Sequence, residues 1–360
     1  MPNDVNLTIP YTQLINEKAE AVGDLPDFAK APESLISLYR SMVLTRTFDK
    51  KAIALQRTGK LGTYPSSLGQ EAISVAIGTV MQADDVFFPY YREYGAQFLR
   101  GVDMKEILLY WGGDERGMDY QGPRKDFPIC VPIATHAPHA VGVAYAMKLR
   151  KEKRVAVFVC GDGATSKGDF YEAINAAGLW KLPIVFVVNN NQWAISVRRE
   201  IQTGCKTIAQ KAVSGGFDGE QVDGNDVVAV KQRFQLAMDK ARSGQGPTLL
   251  EAITYRLCDH TTADDATRYR SEEEVNEHWQ REPVLRLKNY LALQGVWDEE
   301  KENALLADCS SDVEKAVNAY LSTAAQPPES MFEYMYENMP HDLQKQRQAF
   351  LAQKKSSPEK

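Results

Sequence analysis

Gly161-Asp162-Gly163-Ala164 and, after it, Asn189-Asn190-Asn191-Gln192-Trp193-Ala194-Ile195-Ser196 decide how this chain folds. The first stretch follows Val155-Ala156-Val157-Phe158-Val159-Cys160, an apolar run of strand length that reads as a buried strand. Residues 168–180 read as a helix, and Ile184-Val185-Phe186-Val187-Val188 as a second buried strand. Strand, helix, strand is a βαβ unit with its two strands parallel. Ligands of an open parallel sheet bind beyond the carboxyl ends of its strands. Asp162 and Asn191 each stand at such an end, so the unit sets a carboxylate beside an amide oxygen. Two hard oxygen donors on rigid supports suit Mg2+ held between protein and a diphosphate. A lone Gly-Asp-Gly equally describes an ordinary strand-to-helix turn, and only the second stretch separates the two readings.

Gly-Asp-Gly-Ala followed by Asn-Asn about 27–29 residues later resembles the thiamine-diphosphate signature. The flanking Gly168-Asp169-Phe170-Tyr171-Glu172-Ala173 and Asn190 to Ser196 narrow the resemblance. They look like the alpha subunit of the decarboxylating component of 2-oxo acid dehydrogenase complexes, with bacterial pyruvate dehydrogenases nearest. The similarity runs from about residue 38 to about residue 339. It implies an α/β thiamine-diphosphate-binding fold: a mostly parallel sheet flanked by helices, with helical N- and C-terminal extensions.

Bulk properties agree with an ordinary globular enzyme. The 360 residues carry 42 Lys and Arg against 48 Asp and Glu, mixed along the chain, which gives no nucleic-acid groove or membrane surface. Residues 1–27 are polar and lack the basic-then-apolar order of a signal peptide, and no apolar run approaches a bilayer span. The five cysteines (130, 160, 205, 258 and 309) form no C-x-x-C pair and read as reduced cytoplasmic thiols. The five histidines form no zinc pattern, and His136 and His139, separated by Pro138, mark a helix entry.

Three segments are expected: an N-terminal arm over 1–34, the cofactor-binding α/β domain with C-terminal helices over 35–345, and a polar, frayed tail over 346–360. Helices are expected over 35–55, 70–81, 97–111, 138–150, 227–243, 271–295 and 298–325. Strands are expected at 86–88, 131–135, 219–222 and 248–253, and a loop over 112–128. The small residues Ala137, Ala140, Gly142, Ala144 and Ala146 suit either a core helix or close packing between subunits.

Two further constellations stand out. Tyr91-Arg92-Glu93 follows the strand at 86–88, at another carboxyl edge, and a guanidinium fork there matches phosphate oxygens. His260-Thr261-Thr262-Ala263-Asp264-Asp265-Ala266-Thr267-Arg268-Tyr269-Arg270 places one histidine among acids, hydroxyls and arginines, able to hydrogen-bond a diphosphate and move protons. An arginine paired to a surface carboxylate and an incidental loop histidine are the plain alternatives.

The resemblance assigns roles to these positions. It implies that Tyr91 and Arg92 touch the cofactor, that Val131 and Ile133 bind its aminopyrimidine ring through main-chain groups, and that Gly163 and Ala164 are cofactor-binding too. Asp162, Asn191 and the Trp193 carbonyl hold Mg2+, and His260 is catalytic. It also implies that the glutamate activating thiamine diphosphate comes from a beta subunit, in an α2β2 heterotetramer that serves a lipoyl-bearing acyltransferase. Three positions depart from patterns in the family: Asn189, where branched-chain members often have arginine; His136, where many have glutamine; and Pro65, a histidine in mitochondrial pyruvate enzymes. They bear on the substrate, for which pyruvate is expected and a branched-chain 2-oxo acid or acetoin is the alternative. A non-catalytic nucleotide-binding module is the reading from another class.

Overall fold

The computed structural model describes residues 8–356. The first seven residues of the expected arm and the last four of the expected tail lie outside the described residues. The chain divides into two compact units at Tyr320 and Leu321.

The larger unit is built on strands Tyr11–Thr12 (β1), Val86–Phe88 (β2), Ala156–Gly161 (β3), Ile184–Asn190 (β4), Trp193–Ala194 (β5), Val197–Arg198 (β6), Asp218–Asp223 (β7) and Thr248–Ile253 (β8). Six of them form one sheet in the order β1-β7-β8-β4-β3-β2, with every neighbouring pair parallel. β5 and β6 form a separate antiparallel ribbon. The central strands are apolar because helices cover both faces, and their side chains alternate between two cores. Val157, Val159, Val185 and Val187 join the core beneath helices Pro32–Arg57, Glu71–Val80 and Val227–Arg242. Ala156, Phe158, Cys160, Ile184, Phe186 and Val188 join the core beneath helices His136–Leu149 and Gly168–Leu179. This is the expected α/β architecture. The β3–β4 register pairs Gly161 with Asn189, so both strands end at one level.

Several elements differ from their sequence reading. The helix expected over 97–111 is two, Tyr94–Leu99 and Met104–Trp111. Gly101 breaks it at φ +96°, and Asp103 restarts it with a capping box closed by Glu106. The helix expected over 271–295 is likewise two, Glu272–Trp279 and Pro283–Leu293; Glu282 caps the second, donated to by the Val284 and Leu285 amides.

The strand expected at 131–135 does not form. Pro132 has no N–H for a ladder, Ala134 sits at φ +62°, and Thr135 N–H turns back to the Pro132 carbonyl at 3.4 Å. Within the 1–34 segment, β1 pairs with β7, and the Leu14 and Ile15 amides both donate to Asp226 Oδ2 at 2.7 Å. On helix His136–Leu149, Ala137, Ala140 and Ala144 pack into the core, while Gly142 and Tyr145 face outward.

The smaller unit holds a short 3-10 helix, Pro328–Phe332, and helix His341–Ser356. Phe332 and Phe350 meet at 6.0 Å between ring centres, so residues 346–356 are helical where a frayed tail was expected. Among the described residues, no helix is long and apolar enough to cross a membrane.

Candidate active site

The level carboxyl ends of β3 and β4 form the floor of a cavity of about 570 Å3. Asp162 opens a 3-10 turn, Asp162–Ser166, directly after β3, and Asn191 follows β4 by one residue. Three consecutive asparagines there do different work. Asn189 Nδ2 donates to Tyr90 Oη at 3.0 Å, Asn190 Nδ2 to Glu251 at 2.7 Å, and Asn191 Nδ2 to Gln70 Oε1 at 3.0 Å. With its amide nitrogen held by Gln70, Asn191 turns its oxygen toward Trp193, whose N–H reaches it at 3.3 Å. Gly163 lies so close to β5 that a Cβ there would stand 2.8 Å from Ala194 Cβ.

Asp162 is 1% exposed, and its Oδ2 has no hydrogen-bond partner. Burial pushes its carboxyl up to about 6, opposed by backbone amides and by Arg256 and Arg199. A buried carboxylate oxygen without a donor is costly by itself and is well matched to a cation. Trp193 also lines the cavity, and its carbonyl accepts from Arg256 Nη1 at 3.4 Å. Among the described residues no three His, Cys, Asp or Glu side chains gather as a metal site. The oxygen set here is one carboxylate, one amide and one carbonyl, the type Mg2+ takes beside phosphate oxygens.

The opposite wall comes from loops. Arg92 is fully buried; it donates to the Ser66 carbonyl, and its Nη2 reaches the His260 carbonyl at 2.7 Å and His260 Nδ1 at 3.2 Å. Because the arginine can only donate, His260 Nδ1 accepts and the imidazole proton sits on Nε2. Burial, then Arg92 and Arg256, push His260 down to about 4, so it is neutral at pH 7. The loop carrying it is tied by main-chain carbonyls to arginines: Arg270 donates to the carbonyls of Arg256 and Cys258. The His260 amide donates to Asp264 at 2.8 Å, and Thr262 and Tyr64 exchange two bonds. Val131 and Ile133 bound the same cavity and are about half exposed.

All the expected cofactor, metal and catalytic positions border this one cavity: Tyr91 and Arg92; Val131 and Ile133; Asp162, Gly163 and Ala164; Asn191 and Trp193; and His260. Sequence reading missed others. Gln70, an isolated residue before a helix, orients Asn191 and left no pattern to find. Arg256 was detectable as a charge closing the apolar run Thr248 to Leu257, since a buried arginine needs partners. His136 was singled out as a helix entry beside His139 and as a departure from the family's glutamine, not as a site residue. It is buried, lines the cavity and holds the Pro89 carbonyl through Nδ1 at 3.0 Å, with burial pushing it down to about 4.

The family profile described as dehydrogenase E1 component matches residues 39–329. Proteins named pyruvate dehydrogenase E1 component subunit alpha are similar over nearly their whole length. The one from Staphylococcus aureus (strain Mu50) is 37% identical over 351 residues, covering 97% of this chain and 94% of the relative. The one from Bacillus subtilis (strain 168) is 38% identical over 337 residues, covering 93% and 90%. The one from Staphylococcus epidermidis is 36% identical over 351 residues, covering 97% and 94%.

Proposed function

Since this chain belongs to the dehydrogenase E1 component family, we propose that it is the alpha subunit of a pyruvate dehydrogenase and that its cavity binds Mg–thiamine diphosphate. It is a thiamine-diphosphate-dependent 2-oxo acid dehydrogenase subunit that works with a beta subunit inside a larger complex. When bound, thiamine diphosphate supplies the electron sink that decarboxylation of a 2-oxo acid requires. The observation that carries the site assignment is the donorless, buried Asp162 Oδ2 at the floor of a cavity that the other family positions share.

In this reading Asp162, the Asn191 amide oxygen and the Trp193 carbonyl hold Mg2+. Arg92 has three of its five N–H donors on Ser66 and His260, and the remaining ones offer charge to a diphosphate. Gly163 and Ala164 bring backbone close to it. Val131 and Ile133, on a turn rather than a strand, leave main-chain groups free of a ladder and open to an aminopyrimidine ring. Tyr91 packs edge-on to His260 at 6.2 Å and beside Arg92, steadying both. His260, neutral with its proton on Nε2, donates to substrate or phosphate oxygen and assists acetyl transfer to a lipoyl group.

Asp162 is the one carboxylate among the described residues lining the cavity. That agrees with an activating glutamate supplied by the beta subunit, in an α2β2 heterotetramer. The outward face of helix His136–Leu149, open at Gly142, supports close packing by such a partner. Free cysteines and the composition support a cytoplasmic place.

Titration with Mg2+ and thiamine diphosphate tests the site, and decarboxylation assays with and without a co-expressed beta subunit test the division of labour. Binding together with pyruvate turnover only in the complex is expected. Turnover by the purified chain alone would refute the two-subunit reading, and a preference for branched-chain 2-oxo acids or acetoin would move the substrate.

A further inference from the structure

Glu93 is a buried acid for which the chemistry above has no use. It is 1% exposed, just ahead of helix Tyr94–Leu99, and neither carboxyl oxygen has a hydrogen-bond partner. Its neighbour Arg92 directs its terminal nitrogens at Ser66 and His260. The polar side chain against the carboxyl is Asn189, whose Oδ1 is also buried and without a donor. No hydrogen reaches either Glu93 oxygen, and none reaches the Asn189 oxygen, whose own Nδ2 is turned to Tyr90. One proton satisfies both groups.

The remaining bonds run in a consistent direction. Asn189 Nδ2 donates to Tyr90 Oη at 3.0 Å, and Tyr90 O–H donates to Gln70 Oε1 at 3.4 Å. Asn191 Nδ2 donates to the same Gln70 oxygen at 3.0 Å. The Trp193 N–H on Asn191 Oδ1 forbids the flipped amide. We propose that Glu93 keeps its proton, donates it to Asn189 Oδ1, and so heads a hydrogen-bond chain through Tyr90 and Gln70 that orients the Asn191 oxygen. The relay rests on the reading of Asn191 as a metal ligand; the protonation of Glu93 does not.

Burial pushes the Glu93 carboxyl up to about 8, opposed by Asn189 and Arg92. The other titratable groups facing it, Tyr90 and Cys160 of β3, are themselves held neutral by burial. Glu93 is a positioning residue, since it acts on the site only through others.

Difference infrared spectroscopy of the full chain against Glu93→Gln reads the proton directly. A protonated carboxylic-acid band at neutral pH, lost in Glu93→Gln, is expected; a carboxylate band in its place overturns the assignment. Titration of the complex with Mg2+ and thiamine diphosphate reads the relay. Wild-type affinity is expected to fall by up to about tenfold per pH unit above about pH 8, while Glu93→Gln, which keeps a donor, stays level. Tyr90→Phe, which cuts the chain midway and keeps the ring, should weaken binding about tenfold with the infrared band intact. Wild-type affinity in Tyr90→Phe, or an equal pH fall in Glu93→Gln, overturns the relay. No binding by wild type would remove the functional reading and the relay together, with the band still deciding the proton.

Discussion

The two sides of the cavity are built on different physics. The floor is sheet: Asp162 and Asn191 follow strands whose register is set by a continuous ladder from β2 to β8. The facing wall is loop: His260 is held by arginines gripping the carbonyls of residues 256, 258 and 260. A ladder fixes position without regard to the side chains at its end, whereas an arginine clasp depends on each side chain in it. Mutations in the floor should therefore remove chemistry and leave the fold, and mutations in the wall should loosen structure and chemistry together.

Asp162→Ala is the most severe break. It removes the only anionic ligand of the proposed site, and calorimetric titration should show Mg–thiamine diphosphate binding abolished. The fold should persist, and Asp162→Asn should melt higher than wild type without metal. Relieving a buried, unpaired carboxylate at pH 7 is worth up to about 3 kcal/mol. Wild-type cofactor affinity in Asp162→Ala would sink the floor assignment.

On the wall, His260→Ala should cut acetyl transfer to the lipoyl domain by about 10²–10⁴, the usual contribution of an acid–base group. The assay belongs in the reconstituted complex with binding measured alongside, because the wall also shapes the cavity. Near wild-type transfer would reduce His260 to a loop residue that bounds the pocket.

The floor was legible in the sequence and the wall only partly so, for the same reason. Apolar runs at 155–160 and 184–188 announce a buried parallel ladder, and the residues just past them have one place to go. The arginine clasp has no period. Arg92 and Arg270 appear in the sequence as ordinary charges, and their work on Ser66, Arg256 and Cys258 carbonyls depends on contacts between distant segments. The turn at Val131–Thr135 was misread as strand because apolar residues flank Pro132, and nothing in the sequence signals the positive φ of Ala134. Gln70, which aims Asn191 across 121 positions of sequence, was out of reach for the same reason.

Arg270→Lys sharpens the contrast at smaller cost. Lysine keeps the charge but cannot reach two carbonyls with a fixed fork. The fold of the sheet should be unchanged, while protease cuts between 258 and 270 faster and cofactor affinity drops about tenfold, one buried charged hydrogen bond's worth. Equal protection in mutant and wild type would mean that the loop is held by Asp264 and Thr262 rather than by the clasp.

The gentlest test is titration, where floor and wall carry opposite signs. Asp162 is raised from 3.8 to about 6, so between those values the folded chain holds a proton that the unfolded chain has lost, and this group's contribution to stability falls as pH rises. His260 and His136 are lowered from 6.5 to about 4, so between about 4 and 6.5 the unfolded chain binds more protons and stability rises with pH. His260 is partly open to solvent and His136 is buried at the cavity edge, and roughly 1–2 kcal/mol each is a realistic size after screening. Melting temperatures of the metal-free chain, followed across that window, should therefore flatten in His260→Gln and His136→Gln and steepen in Asp162→Asn. Adding Mg2+ and thiamine diphosphate should raise the melting temperatures of wild type and the histidine variants and leave Asp162→Asn nearly unmoved, because the cation needs the carboxylate. If the histidine variants kept the wild-type slope, neither imidazole would be neutral in the folded chain, and a neutral His260 donating through Nε2 would fail with them.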